Sequence, residues 1–299
     1  MQRKPISYRR QHRRSEFLWG WAFLLPTVVG LIILNIYPIF YTIYLSFHKS
    51  GDFGRNNIFV GFQNYAKALK DVQILKAMRN SLFYMLMEVP ISVALSLVLA
   101  ALMNQKIRLR TVYRTIIFLP MVAAPAAVSM VWRWLFNTEF GLINHILGKK
   151  ISWISDPKIS LVSIAIIGIW SILGYNMILF LAALQEVPND YYEAAELDGA
   201  GKAVQFFRIT LPLISPMIYF VLVTRVIAAL QVFDTIYMMM DRTNPALQDT
   251  QSLVFLFYRY SFVENNRGYG STIVVLLLII TLVFTALQNY GQKKWVIYD

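Results

Sequence analysis

The sequence contains no cysteine and only three histidines in 299 residues. The absence of cysteine excludes disulfides, thiolate catalysis and cysteine metal sites. His12, His48 and His145 lie far apart and show no spacing typical of metal ligands. The chain therefore presents neither a thiol site nor a metal site that can be recognised from its sequence.

Three signatures of enzymes are also missing. The chain has no GxxxxGK[ST] loop to cradle phosphates, no HExxH and no GxSxG. It is therefore predicted not to be an enzyme and not to hydrolyse ATP itself. If its activity is driven by ATP, the motor must be a separate polypeptide.

Long apolar runs are what the chain has in abundance. Its residues are 57% hydrophobic, whereas about 45–50% is typical of a soluble domain. Several nearly uncharged runs reach 20 residues or more, the length that a helix needs to cross ~30 Å of hydrocarbon. The predicted fold class is an all-α membrane protein with a basic tail over 1–15 and one transmembrane domain over 16–299. Its six predicted spans are about 17–47, 81–103, 115–136, 160–185, 213–240 and 271–290.

Basic residues set the predicted orientation. Acidic residues are scarce, with 16 Asp and Glu against 28 Lys and Arg. The tail over 1–15 and the short loop over 104–114 are densely basic, which favours a cytoplasmic position for both. The net charge of +12 is then explained by this retention and by anionic lipid, so no nucleic acid partner is expected. The chain is predicted to cross the cell membrane with both termini in the cytoplasm and with an external loop over 241–270.

A polar loop over 186–212 lies between the fourth and fifth predicted spans. Its first part consists of good helix formers, Gly199 and Gly201 then favour a break, and a second short helix is expected over 202–210. Leu211 and Pro212 are expected to end that helix. Such a helix–turn–helix cannot lie in lipid, so it must project into water as a docking element. The residues that define this element are Glu193, Ala194, Ala195, Asp198, Gly199, Ile209, Leu211 and Pro212.

The spacing of this loop resembles a known signature. Glu-Ala-Ala is followed after three residues by Gly199 and after nine more by Ile209-x-Leu211-Pro212, as in the membrane subunits of binding-protein-dependent ABC importers. The resemblance implies that the loop docks on a cytoplasmic ATPase, present in two copies, which binds ATP and Mg in place of this chain. It also implies a heterodimer with a second, homologous permease subunit and an external solute-binding protein.

Three further stretches, 231–237, 250–253 and 268–271, resemble the carbohydrate-uptake branch of that family, similar to the maltose-transporter membrane subunits. The resemblance implies a permease subunit that translocates a sugar or oligosaccharide. This chain departs from the branch at Thr243-Asn244-Pro245, where a Gly-Gly-Pro turn is usual. Two alternatives stay open: the same class of permease for glycerol phosphate or a peptide, and a stand-alone secondary transporter.

Polar residues inside the predicted spans are candidates for the substrate pathway. Glu88 lies in the middle of the second span, where a charge costs about 2.5–3.5 kcal/mol and so needs a partner or a cavity. Two roles stay open for Arg225: an ion pair with Glu88 or Asp234, or contact with an acidic saccharide. Tyr175 matches, by the resemblance, a tyrosine that lines the sugar site. The candidates for substrate binding are Tyr175, Asn176, Arg225, Gln231, Asp234 and Glu88.

Overall fold

The computed structural model describes residues 6–49, 57–105 and 107–297, and the side chains from residue 16 onward. Residues 1–5 of the predicted basic tail, and the side chains of its other ten residues, lie outside the described part of the chain. The first helix begins at Ile6, within that predicted tail.

The described chain is mostly helical. Its first half contains α1 (Ile6–Leu31), α2 (Tyr37–Ser46), α3 (Gln63–Ala68), α4 (Val72–Asn104), α5 (Arg110–Val122), α6 (Pro125–Leu135), α7 (Leu142–Leu147) and α8 (Ser160–Glu186). Its second half contains α9 (Asp190–Leu197), α10 (Lys202–Gln205), α11 (Leu211–Leu213), α12 (Ser215–Leu230), α13 (Asp234–Met239), α14 (Leu247–Thr250), α15 (Leu253–Tyr258) and α16 (Arg267–Gln292). Single π-helical turns over Ile32–Ile36, Phe206–Thr210 and Arg259–Val263 continue α1, α10 and α15. The strands β1 (His48–Lys49) and β2 (Ile58–Phe59) pair antiparallel, with His48 opposite Phe59.

Within the described residues, four helices are long and apolar enough to cross a membrane: Glu16–Ser46, α4, α8 and α16. Two further candidates are bent pairs, α5 with α6 and Lys202–Leu213 with α12. The count is therefore four, or up to six if each bent pair is one span. The helical membrane fold predicted from the sequence is confirmed at this level, and the number six stays a prediction.

The bend between α5 and α6 measures 100°. Ala123 and Ala124 at the break have extended backbones, with ψ of 142° and 132°. Pro125 explains the extended backbone of Ala124, because the ring of a proline disfavours helical dihedrals in the residue before it. Pro125 itself occupies the first turn of α6, where its missing N–H leaves no bond unmade.

The predicted helix stop at Leu211 and Pro212 is wrong. The helix that begins at Lys202 continues through Pro212 to Leu213, and the chain bends by 66° at Ile214. A proline inside a helix lacks an N–H and crowds the carbonyl four residues earlier. The π-helical turn over Phe206–Thr210 lies directly before Pro212, and its wider coil relieves that crowding.

The centre of the fold is the packing of α4 against α8. Ser96 on α4 donates to the Leu173 carbonyl at 3.2 Å, and small residues of this kind let two helix backbones approach closely. Gly174 brings α8 against α5 in the same way, since a Cβ at this position would lie 2.3 Å from the Ile117 oxygen. These contacts fix α8 between two neighbouring helices.

We expect Gly174→Ala to lower the free energy of unfolding by about 1–3 kcal/mol, the usual cost of overpacking a filled site. The added methyl group would meet backbone atoms of Ile117 and Phe118, which cannot rotate away. Gly30→Ala is the matched control, because nothing lies within 4 Å of its added Cβ. Thermal unfolding of both variants in the same detergent would measure the difference. Equal unfolding temperatures would contradict the assigned close approach of α5 and α8.

The segment over 241–270, predicted as an external loop, contains the helices α14 and α15 and packs partly into the bundle. Leu253 is only 1% exposed, and its N–H donates to the Ser81 hydroxyl on α4 at 3.1 Å. An ion pair of 3.1 Å between Lys76 and Asp249 fastens the same segment to the start of α4. An open loop is therefore the wrong description, because the apolar run in α15 buries its side chains in the bundle. The external position of the segment stays a prediction.

Candidate functional site

The polar loop predicted to dock a partner forms a helical hairpin, hereafter the coupling hairpin, made of α9 and the helix that begins with α10. Gly199 has a φ of +78°, a left-handed conformation that favours glycine at the end of a helix. The N–H of Ala200 donates to the Ala195 carbonyl at 2.9 Å and closes the last turn of α9. The glycine signal in the sequence therefore marks the turn of the hairpin.

Bonds between its two arms stabilise the coupling hairpin. The Tyr192 and Thr210 hydroxyls share a hydrogen bond of 2.9 Å, and the Gln205 amide donates to the Ala200 carbonyl at 3.1 Å. Lys202 donates to Glu196, and this bond lowers the pKa of the Glu196 carboxyl. Glu196 is well exposed, so the pair with Lys202 adds little stability. The hairpin is held mainly by the buried Gln205 and Thr210.

The predicted docking residues divide by exposure. The exposed residues lie in the first arm and the turn: Glu193, Ala194, Asp198 and Gly199. The half-buried residues are Ala195 in the first arm and, near the end of the second arm, Ile209, Leu211 and Pro212. Sequence reasoning missed Leu197, which is 91% exposed at the end of α9. An apolar residue ending a polar helix was the available signal.

The coupling hairpin lies against the carboxyl end of α4. A cavity of about 520 Å³ separates them, with Asn104 and Gln105 on one side and Tyr192, Glu193 and Phe206 on the other. The end of the chain packs at the same end of the bundle, where the Ile297 N–H donates to the Ser215 hydroxyl at 3.0 Å.

The buried charges predicted for the substrate pathway meet inside the bundle. Arg225 on α12 donates from Nη2 to Oε1 of Glu88 on α4 at 2.5 Å. The Glu88 side chain is fully buried and that of Arg225 is 14% exposed. Of the two partners that the sequence left open for Arg225, the structure selects Glu88. Pairing of this kind is what makes a charge tolerable within a membrane.

Arg225 and Asp234 line a common cavity of about 260 Å³, hereafter the central cavity. Gly168, Ser171 and Ile172 from α8 form another of its walls. Glu88 is not among the lining residues and pairs with Arg225 on the side away from the cavity. Asp234 begins α13 and makes no ion pair within 4 Å in the part of the chain that the structure describes. The cavity therefore combines two charged side chains with hydroxyl and apolar surface.

The other three candidates do not join this cavity. Tyr175 is half-exposed on α8, and Gln231 is exposed at the end of α12. Asn176 is buried, and neither polar atom of its amide has a hydrogen-bond partner among the described residues. None of the three lines the central cavity, so their role in substrate binding stays a prediction. A pattern of polar residues in an apolar helix cannot reveal which wall each side chain faces.

Comparison with known proteins gives a consistent result. Residues 74–296 match the family described as "Binding-protein-dependent transport system inner membrane component". The lactose transport system permease protein LacF of Rhizobium radiobacter is 31% identical over 92% of this chain and 94% of its own length. The sn-glycerol-3-phosphate transport system permease protein UgpA of Pectobacterium atrosepticum is 30% identical over 94% of this chain and 96% of its own length.

The fold also matches a solved structure. A chain of a bacterial ABC transporter involved in the import of the acidic polysaccharide alginate superposes with a TM-score of 0.83, over 96% of this chain and 99% of that chain. The two sequences are 22% identical, so this similarity concerns the fold alone. The fold and the sequence relatives thus agree along nearly the whole chain.

Proposed function

The chain belongs to the family of binding-protein-dependent transport system inner membrane components, and we propose that it is the permease subunit of an ATP-driven importer of a sugar or oligosaccharide. The observation that carries this proposal is the coupling hairpin, a water-exposed element between two apolar helices whose first arm ends in the exposed Leu197. The similarity to a lactose permease supports a sugar as cargo.

The proposed assembly contains four kinds of partner. A second, homologous permease subunit completes the pathway, two ATPase subunits bind ATP and Mg, an external solute-binding protein delivers the cargo, and lipid surrounds the spans. The uncovered apolar side chains of the first span support contact with lipid and with a second subunit. With α5 and α6 counted as one span and α12 as another, the chain has six spans, with both termini and the coupling hairpin in the cytoplasm.

Mechanistically, closure of the ATPase moves the coupling hairpin, and the spans rock around the central cavity. The two helices that flank the hairpin, α8 and α12, also supply walls of that cavity. A displacement of the hairpin therefore reaches the cavity through α8 on one side and, across the bend at Ile214, through α12 on the other. The ATPase supplies the chemistry, and this chain binds, orients and releases the cargo.

Cross-linking tests the proposed coupling. Because the chain has no cysteine, Glu193→Cys introduces a single thiol on the coupling hairpin, and a thiol cross-linker should join it to a nucleotide-hydrolysing subunit. Ile146→Cys on α7 is the control, since it is also well exposed but lies outside the hairpin and should give no such product. Mass spectrometry of the linked bands identifies the partners. A hairpin that links only to external proteins would contradict the proposal.

A phosphorylated glycerol is the second candidate cargo, favoured by the similarity to UgpA. Proteoliposomes with the purified complex and its binding protein would distinguish the two. We expect ATP-dependent uptake of lactose or another neutral saccharide to exceed that of sn-glycerol 3-phosphate. The reverse preference would select the second candidate.

A further inference from the structure

We propose that the central cavity is built for uncharged, polyhydroxylated solutes and disfavours anionic ones. The proposal rests on the proposed import function and narrows its class of cargo. It is carried by one arrangement: Glu88 neutralises Arg225 from behind, so that Asp234 supplies the remaining charge at the cavity wall.

The positive charge of Arg225 is neutralised by its ion pair with Glu88. Its Nη2 lies 2.5 Å from Glu88 Oε1, and Glu88 is fully buried away from the cavity. An anionic solute would meet a guanidinium whose charge this carboxylate already neutralises, so its net attraction to the pair would be weak. The expectation that Arg225 receives an acidic saccharide therefore does not fit this geometry.

Asp234 faces the cavity without a comparable neutralising partner. Among the described residues no basic group lies within 4 Å of its carboxylate, and the other charged residue of the cavity wall is the already paired Arg225. The three side chains together leave one negative charge beside the cavity. Asp234 is exposed, and a negative charge beside a cleft repels anions and tolerates neutral or cationic solutes.

The rest of the wall suits hydroxyl groups. Ser129, Ser171 and Thr235 contribute hydroxyls to the cavity, and Asp234 is a strong acceptor. The Ser171 hydroxyl donates to the Ile167 carbonyl at 2.8 Å, which leaves its oxygen free to accept a bond from a solute. Apolar surface from Ile172 and Val128 completes a site of the kind that binds a sugar ring.

The charge at this site can be measured without knowing the cargo. Ser171→Cys places the single thiol of this chain at the cavity wall. In the intact complex, its rates of modification by cationic trimethylammonioethyl and anionic sulfonatoethyl methanethiosulfonate are compared. Each rate is normalised to that of free 2-mercaptoethanol, and modification is read from the mass of this chain. We expect the cationic reagent to react faster.

Two charge variants sharpen the test. In the Ser171→Cys background, Asp234→Asn and Glu88→Gln should each shift the ratio of rates toward the anionic reagent, by about fivefold for loss of one nearby charge. The double variant Glu88→Gln with Arg225→Gln removes both charges of the pair and should retain the original ratio. A faster anionic reagent in the parent protein, or an unchanged ratio in Asp234→Asn, would overturn the proposal.

This measurement separates two kinds of failure. A preference for the cationic reagent without ATP-dependent uptake of any saccharide would leave the charge assignment standing and reject the proposed cargo. Uptake of saccharides by a complex that prefers the anionic reagent would support the proposed cargo and reject the charge assignment. The selectivity and the import function are thus tested by different observations.

Discussion

Replacing Glu88 by glutamine is expected to lower the free energy of unfolding by about 3–5 kcal/mol, the usual effect of breaking a buried ion pair by removing one partner. The loss exceeds that of a hydrogen bond because Arg225 would remain charged in a region largely shielded from water. Glu88 also joins α4 to α12, so the variant should loosen the contact between these helices. Thermal unfolding of the purified chain in detergent measures the effect.

Glu139→Gln is the matched control for this prediction. It makes the same substitution in the ion pair with Lys150, whose side chains are 65% and 72% exposed, and such exposed pairs contribute about 0–1 kcal/mol. Adding Arg225→Gln to Glu88→Gln should recover part of the stability, because no charge is then left buried without a partner. Equal unfolding temperatures for Glu88→Gln and Glu139→Gln would show that the Glu88–Arg225 pair contributes nothing beyond an exposed one.

The helices of this fold could be predicted from the sequence because long apolar runs have few other stable states in lipid. The turn of the coupling hairpin was also accessible, since Gly199 marks a backbone conformation that other residues rarely adopt. The path of the chain at its prolines was harder to predict from the sequence. Pro125 accompanies a 100° bend, whereas Pro212 is accommodated within a helix. The difference depends on the π-helical turn before Pro212, which its local sequence does not specify.

The sequence predicted the candidate site only as a set of possible ion-pair partners. Glu88 and Arg225 are 137 residues apart, so their pairing depends on how α4 packs against α12. Sequence reasoning could state that each buried charge needs a partner, but both Glu88 and Asp234 satisfied that need for Arg225. Tertiary packing decides which of the two carboxylates pairs with Arg225. That pairing in turn decides whether Arg225 or Asp234 dominates the charge of the cavity.

The position of the hairpin gives the proposed mechanism a physical route. From Ile172 at the cavity wall to Glu186 at the end of α8, the helix rises by about 21 Å at 1.5 Å per residue. On the other side of the hairpin, the bend at Ile214 separates it from α12, which carries Arg225. The two flanks therefore differ, since α8 is a single helix whereas the other flank contains a bend, and the proposed motion of the hairpin would act on α8 and α12 unequally.

Leu197→Glu is expected to weaken binding of the ATPase subunit by about 10–100-fold. Full burial of a leucine contributes about 1.5–3 kcal/mol, and about 1.4 kcal/mol corresponds to tenfold in affinity. Because Leu197 is 91% exposed in this chain, its replacement removes almost no contact within the fold, and the unfolding temperature should stay unchanged. Co-purification of the ATPase with the tagged chain, together with ATP hydrolysis in proteoliposomes, measures the loss.

Ile146→Glu provides the comparison that makes this result specific. Ile146 is also an exposed apolar residue on a short helix, but α7 lies outside the coupling hairpin, so the same change of charge there should leave ATPase binding intact. Loss in both variants would point to charge in general rather than to the hairpin. Retention of the ATPase by Leu197→Glu would place the docking contact elsewhere on the hairpin, at Ala194 or Ala195, or remove the hairpin from the coupling pathway. Burial of Leu197 by a partner is the outcome that the physics favours, because an isolated leucine so fully in contact with water gains free energy from any apolar surface that covers it.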